Sequence, residues 1–394
     1  PFIPVPPKGK TFVIGVGKAA AKMAATFEAN FSGPLSGLVV CPYGQKIECK
    51  NIEVLEASHP LPDKNGLLAS RRILSLVRNL SSDDLVVALI CGGGSALLPA
   101  PPQGLTLQDE IDLNKTLLGS GLPISSMNLI RKHVSSIKGG KLALACRPAR
   151  VVTLVLSDVP GDSLHQVASG PTLADNLDQE RALFEIKSNN LQLADNVMAH
   201  LESKEAKCPT PKDLLNNGDQ TFMIGSAYKS LSAARTKADK SSIASFILSD
   251  SVEGESKDIG SMHAAIVNQI ARYGHPFARP ALLLSGGETS VTLGEGSGRG
   301  GRNTEFLLSF LLNVDPSFQI YALAADTDGI DGSESNAGAY CDKHTLKKIE
   351  RRGMNPRELL LKHKSFSAFE AADTLFNTGP TGTNVNDFRA ILIC

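Results

Sequence analysis

Two spacings of apolar residues alternate along the first half of the chain. Short runs rich in β-branched residues read as strands at Thr11–Ile14, Gly37–Val40 and Ile52–Leu55. Between and after them, periodic patterns predict helices from about Lys18 to Ala29 and over Asn65–Leu80, the second opening after Pro62-Asp63. Asp84–Cys91 (DLVVALIC) and Val151–Ser157 (VVTLVLS) are almost unbroken apolar runs, the pattern of strands covered on both faces. Strands that alternate with helices and carry continuous apolar runs predict a mostly parallel sheet wrapped by helices.

Asp178–Ala206 is helical in pattern, and the polar, turn-rich Cys208–Gln220 that follows reads as a linker. A second alternating series opens at Thr221–Gly225. It continues with a strand at Ser245–Leu248, a helix over Gly260–Tyr273, a strand at Ala281–Leu284, a helix over Asn303–Leu312 and a strand at Gln319–Ala324. The expected fold is therefore two α/β domains, a Rossmann-like one over 1–215 and a second over 221–394, with a cleft between them. One echo joins the halves: VALICGGGSALL (87–98) and ALLLSGGETSVTL (281–293) each look like an apolar strand ending in a glycine loop.

Length agrees with two domains, since 394 residues exceed what one core usually serves. Lys+Arg and Asp+Glu both total 40, so no global field would collect nucleic acid, and any phosphate must be held by local charge and backbone amides. No apolar stretch is long enough to span a membrane. The seven cysteines are scattered and form no C-x-x-C pair, which favours a reducing, cytoplasmic setting over a disulfide framework or a zinc site. The chain starts at Pro1 rather than Met, so a targeting segment, a mitochondrial one included, stays open.

Ligands of open α/β sheets bind beyond the carboxyl ends of the strands, so the residues there are the candidates for chemistry. Gly15-Val16-Gly17-Lys18-Ala19-Ala20 fits G-x-G-x-x-A, but the next strand ends in Val40-Cys41-Pro42, with no acid for ribose hydroxyls, and a lysine inside the turn suits an anion better than NAD. Gly92-Gly93-Gly94-Ser95 would let backbone amides approach a polyphosphate. Gly286 and Gly287 are the matching glycines of the second half. Arg299 and Arg302 flank a glycine loop before a helix, and Arg holds carboxylate or phosphate oxygens bidentately. Asp158, Asp162, Asp326, Asp328 and Asp331 are candidate magnesium ligands or bases. His59 stands after the third strand in a proline-braced loop. Neither G-x-S-x-G nor H-E-x-x-H occurs.

Taken together, GVGKAA, SHPLPD, GGGSALL, Asn128–Lys132 with Ile137–Gly140, LSDVPGD, ASGPT, SGGETSVTL, GSGRGGRN, DTDGIDG and TGPTGTNVND resemble the class II glycerate kinases. The motifs run in order from residue 15 to 387. That family joins an N-terminal glycerate-kinase domain to a C-terminal domain of the MOFRL type. The resemblance implies phosphorylation of D-glycerate by ATP with Mg2+, usually at the 2-hydroxyl, in an interdomain site; a homodimer is among the assemblies it allows. Lys18 and Arg302 match the family's catalytic lysine and arginine, and Gly92 to Ser95 its nucleotide loop. Gly15, Gly17, Gly286 and Gly287 join that loop as candidate nucleotide contacts. Asp158 is the candidate base or metal ligand, Asp162 a second metal ligand, and His59, Asn303 and Asp328 the candidate substrate contacts. Three departures stand out: Cys91 where the family has Ser, Thr304 in place of Gln, and no helical segment before the first strand. The rival readings are an NAD(P)H-dependent hydroxypyruvate reductase and a non-catalytic sugar-acid sensor.

Overall fold

Leu85–Cys91, buried at all seven positions, lies in the interior of a six-stranded sheet of the computed structural model, which describes residues 2–215, 218–293 and 298–394. The strands are β1 (Thr11–Val16), β2 (Ser36–Pro42), β3 (Ile52–Ala57), β4 (Leu85–Cys91), β5 (Arg150–Leu156) and β6 (Gln220–Gly225), in the order β3-β2-β1-β4-β5-β6. β1 to β5 pair in parallel. This is the doubly wound order, in which the chain reverses direction across the sheet between β1 and β4 and leaves a crevice at their carboxyl ends. Val86, Ala88 and Ile90 of β4 pack with Ile14, Val16, Leu38, Val40 and the helix residue Ile73 in one core. Each such aliphatic side chain contributes about 1.5–3 kcal/mol on burial. A separate helical cluster forms around Leu113, Leu117, Ile130, Ala182, Ile186 and Leu201.

The chain divides into two compact units, Pro1–Val159 with Ser163–Ile224, and Pro160–Asp162 with Gly225–Cys394. The 221–225 segment, expected to open the second domain, is instead the sixth strand of the first sheet. Asp219 explains the change: it accepts from the Val151 amide at 2.7 Å and pairs with Arg147 at 2.7 Å, so the expected linker is fastened to the first unit. Asn216 and Asn217 of that linker lie outside the described residues.

The second unit has its own sheet: β7 (Ala244–Glu255), β8 (Ala281–Ser290), β9 (Ile320–Asp326), β10 (Gly338–Asp342), β11 (Leu375–Phe376) and β12 (Asp387–Ile393), in the order β11-β10-β9-β12-β8-β7. It is mixed: β7 and β8 are parallel, while β12 runs antiparallel between β8 and β9. The helix Arg302–Asn313 is buried from Asn303 to Leu311, so it is a core element rather than a surface one.

Here the sequence echo fails. Ser285-Gly286-Gly287-Glu288-Thr289 is not a loop but the far half of β8. Gly286 and Gly287 pair with Phe388 and Asp387 on one side, and Gly287 faces Val252 on the other. Gly287 has φ +130°, and a Cβ there would run into the Val252 backbone, at the place where the β7–β8 register is irregular. These glycines serve a bulged strand pairing. That removes them as a phosphate loop.

Candidate active site

The first unit gathers its candidate side chains at the switch point. Gly17 has φ +127°, and a Cβ on it would overlap Cys91, so only glycine lets the β1 turn close onto the end of β4. The turn is pinned by Lys18 N donating to the Gly92 carbonyl at 2.9 Å and by Gly17 N donating to Val40 O at 3.1 Å. Cys91 adds two bonds, its thiol donating to Val16 O at 3.4 Å and its sulfur accepting from Ala19 N at 3.2 Å. Burial pushes the Cys91 thiol up to about 12, so it stays protonated. The departure from Ser therefore keeps a donor and an acceptor here, and the thiol is turned inward. Gly15, expected as a nucleotide contact, is a strand residue whose absent Cβ makes room for Leu89 and Val39; it is a packing glycine.

The three glycines after β4 each have their own reason. A Cβ on Gly92 would collide with the Asp158 carboxylate. Gly93 is left-handed, at φ +81°, and its Cβ position lies 3.2 Å from the His59 ring and 3.3 Å from Lys18 Cγ. Gly94 sits 2.5 Å, in the same sense, from the Ala168 methyl. Lys18, His59 and Asp158 thus converge on the backbone of Gly92 and Gly93. The His59 side chain keeps contact with solvent, yet the atoms crowding part of its ring, with the neighbouring Lys18 charge, pull its pKa below the ordinary histidine value, so it is neutral at physiological pH. The helix Ala20–Asn30 begins just past Lys18 with no side-chain cap on its N-terminus, which suits an anion.

Asn128, Arg131 and the ASGPT segment carry no role legible from sequence alone. In the structure Ser95 Oγ lies 2.6 Å from Ser169 Oγ, which donates to Asn128 Oδ1 at 3.3 Å; Arg131 Nη1 donates to the same oxygen at 3.2 Å. Ala168, Ser169 and Gly170 are all left-handed, with φ of +52°, +59° and +58°. Two non-glycine residues in that region carry strain of the kind that collects at functional sites. The turn is held by Gly139 N to Ser169 O at 3.0 Å and Gly140 N to Gly170 O at 2.8 Å, which is what the glycine pair of IKGG is for. Lys138 is a strut, paired to the equally buried Glu110 at 2.7 Å.

In the second unit Arg302 is the first residue of its helix. Its guanidinium makes three charged bonds: Nε to Asp387 at 2.7 Å, Nη1 to Glu288 at 2.8 Å and Nη2 to Asp326 at 2.5 Å. Burial works against its charge, but Asp387, Asp326 and Glu288 outweigh it and hold its pKa above the usual arginine value. Burial pushes Asp326 up to about 7, reinforced by Asp328 and Asp387 and opposed by Arg302. Asn303, expected to touch substrate, is wholly buried and donates from Nδ2 to Asp387 at 2.9 Å, so it braces the helix start. Thr304, the family's Gln position, is also buried; its hydroxyl donates to Asp331 at 2.8 Å. Asp331 also accepts the 303 and 304 amides and caps the helix, which accounts for its burial. Asp328 accepts from Ile330 N at 2.9 Å and shapes the turn after β9. Arg299 pairs with Glu334 at 2.6 Å and stacks on Phe366. Gly296 and Ser297 of the GSGRGGRN motif lie outside the described residues. Asp162 belongs to a short turn, Pro160–Asp162, and has φ +55°.

A doubly wound sheet with a lysine-bearing turn at its switch point, followed by a mixed-sheet unit, defines a two-part α/β class, and comparison with known proteins fixes which one. A family model described as a domain of unknown function (DUF4147) matches residues 3–202, and the MOFRL family model matches residues 281–387. Within that class the chain belongs to the class II glycerate kinase family. It is 38% identical to a glycerate 2-kinase of Pyrococcus horikoshii, over 98% of this chain and 88% of the relative. It is 36% identical to a D-glycerate 2-kinase of Thermotoga maritima, over 98% and 91%. A protein of Agrobacterium vitis with a provisional hydroxypyruvate reductase name is 46% identical over 98% of this chain and all of the relative. The crystal structure of a glycerate kinase from Thermotoga maritima matches with a TM-score of 0.89 at 34% identity, covering 98% of this chain and 92% of that one.

Proposed function

We propose that this protein transfers the γ-phosphoryl group of ATP to the 2-hydroxyl of D-glycerate, giving 2-phosphoglycerate. The observation that carries the reading is the convergence of Lys18, His59 and Asp158 on the Gly92–Gly93 backbone at the switch point of the first sheet. Relatives named as glycerate 2-kinases, matching over nearly the whole chain, support the same acceptor. Phosphoryl transfer needs positioning and charge neutralisation more than covalent help. Lys18 neutralises phosphate oxygens, and backbone amides of the Gly92–Ser95 turn cradle them. Neutral His59 hydrogen-bonds the acceptor. Arg302 grips the glycerate carboxylate or the moving phosphoryl. Its Nη1 bond is the replaceable one, because Glu288 has a side chain 49% exposed.

Mg2+ is content with one or two carboxylates when phosphates and waters complete its shell. Among the described residues no group of three His, Cys, Asp or Glu is gathered as a ready metal cage. Asp158 and Asp162 are the residues proposed to hold it, and when bound it would neutralise phosphate charge. Asp328, beside Asp326, remains a proposed substrate contact.

The reductase reading fares worse on geometry. Dinucleotide binding needs the second glycine free to approach a pyrophosphate, whereas Gly17 is pressed against Cys91, and β2 ends in Cys41-Pro42 without an acid. The deciding experiment is glycerate-dependent ADP release with phosphorus NMR of the product. Formation of 2-phosphoglycerate is expected. Oxidation of NADH on adding hydroxypyruvate, with no ADP formed, would overturn the kinase reading.

A further inference from the structure

Asp387 sits at the start of β12 with no exposed side-chain surface and accepts from five donors. They are Arg302 Nε at 2.7 Å, Asn303 Nδ2 at 2.9 Å, Thr289 N at 3.0 Å, Thr289 Oγ1 at 3.2 Å and Arg389 Nη2 at 2.5 Å. Arg389 is the unexpected member. It is 0% exposed, and its guanidinium lies 4.9 Å from the centroid of the Phe306 ring. Its Nε and Nη1 have no hydrogen-bond partner among the described residues. Burying a guanidinium with donors unfilled is costly, and an apolar side chain of similar volume commonly serves stability better. Stability of the strand does not account for an arginine at this place. The need of the buried Asp387 carboxylate for a second cation does: without Arg389, its charge would be met by Arg302 alone.

We propose that Arg389 is a positioning residue for phosphoryl transfer, acting through Asp387 on Arg302. Arg389 and Thr289 hold Oδ2 of Asp387, which leaves Oδ1 aimed at Arg302 Nε and Asn303 Nδ2. The carboxylate is thereby shared between two guanidiniums, so Arg302 is oriented by Asp387 without being fully neutralised by it. Its Nη edge is held by Glu288 and Asp326, and half-exposed Glu288 is the partner an anionic ligand would displace. This rests on the reading that Arg302 contacts the glycerate carboxylate or the moving phosphoryl.

The test is a double-mutant cycle on the full chain with R389M, R389K, R302K and R389M/R302K, following kcat/KM for D-glycerate at saturating Mg-ATP. R389M is expected to lose on the order of 10²-fold, the usual result of a small misplacement. In the R302K background its further loss should be below about threefold, the sign of two residues acting as one. R389K, which keeps the charge, should recover part of the loss. Independently of turnover, the Arg302 Nε–H resonance in nitrogen-15 NMR should exchange slowly in the wild type and fast in R389M. Equal losses in both backgrounds, or an unmoved Arg302 resonance, would overturn the proposal. If R389M does not fold, the same cycle run with R389K decides. If the wild type shows no glycerate-dependent turnover, the kinase reading fails, while the resonance still decides whether Arg389 positions Arg302.

Discussion

Replacing Gly92 by alanine tests what the glycine run is for. Gly92 does not have a left-handed backbone, so a methyl group there adds no strain of its own; it meets the carboxylate of Asp158. To regain ordinary carbon–oxygen contact the carboxylate must retreat by roughly 1 Å or more, and a misplacement of that size typically lowers turnover on the order of 10²-fold. Overpacking costs about 1–3 kcal/mol, which in a unit of this size lowers Tm by only a few degrees, so the variant should fold. Gly119→Ala is the control: nothing lies within 4 Å of its Cβ position and it ends a helix, so alanine should be neutral or stabilising there. The assay is ADP release at saturating D-glycerate, with calorimetric Tm and circular dichroism on both variants. Gly92→Ala with kcat and both KM values unchanged would refute the argument, because Asp158 would then have been moved without consequence.

Lys18→Ala should lower kcat on the order of 10²-fold or more, the usual loss for one transition-state charge contact, with Tm nearly unchanged; turnover close to wild type would remove Lys18 from the mechanism. Cys91→Val should cost about 1–3 kcal/mol in urea unfolding, because Ala19 N and Val16 O lose their buried partner, whereas Cys91→Ser should largely restore the bonds. Asp326, with a folded-state value of about 7 against an ordinary one near 4, binds its proton more tightly in the folded chain. Its contribution to stability is therefore complete below pH about 4 and is lost as pH rises through about 7, a fall of at most about 4 kcal/mol. Asp326→Asn should flatten that slope between pH about 4 and 7 in calorimetry; an unchanged slope would assign the proton to another group.

Much of this was readable from the chain. Continuous apolar runs located β4 and β5 because a strand covered on both faces needs apolar residues at every position, and the residues after them are where doubly wound sheets bind ligands. Lys18, His59, Asp158 and the triple glycine are each adjacent to a strand end, so local sequence announces them. The errors have a common physical origin. Glycine after an apolar run usually turns the chain, which predicts a loop at Gly286 and Gly287; here it relieves a crowded strand pairing, and only the partner Val252 reveals that. Strand propensity says nothing about which sheet a strand joins, so the sequence alone does not tie β6 to the first sheet.

The braces of Arg302 mark the limit of such reading. Each reaches far along the chain, from Glu288, Asp326 and Asp387, and a guanidinium just after a glycine pair looks free until its partners are placed. Yet one signal was present. Residues 387–393 alternate buried and half-buried positions as a strand does, and Arg389 falls on the buried phase beside apolar neighbours. An arginine in that phase demands a buried acid, and the nearest residue on the same face of the strand is Asp387. Recognising the closing segment as a strand would have led from Arg389 to Asp387. The carboxylates around Arg302 make its site acidic in the absence of ligand, so an anion must displace Glu288 or find Asp326 protonated before it can bind. Affinity for glycerate should on that ground weaken as pH rises through about 7, the value at which Asp326 ionises, and a glycerate KM that is flat across that range would show that Arg302 meets its ligand without disturbing either carboxylate.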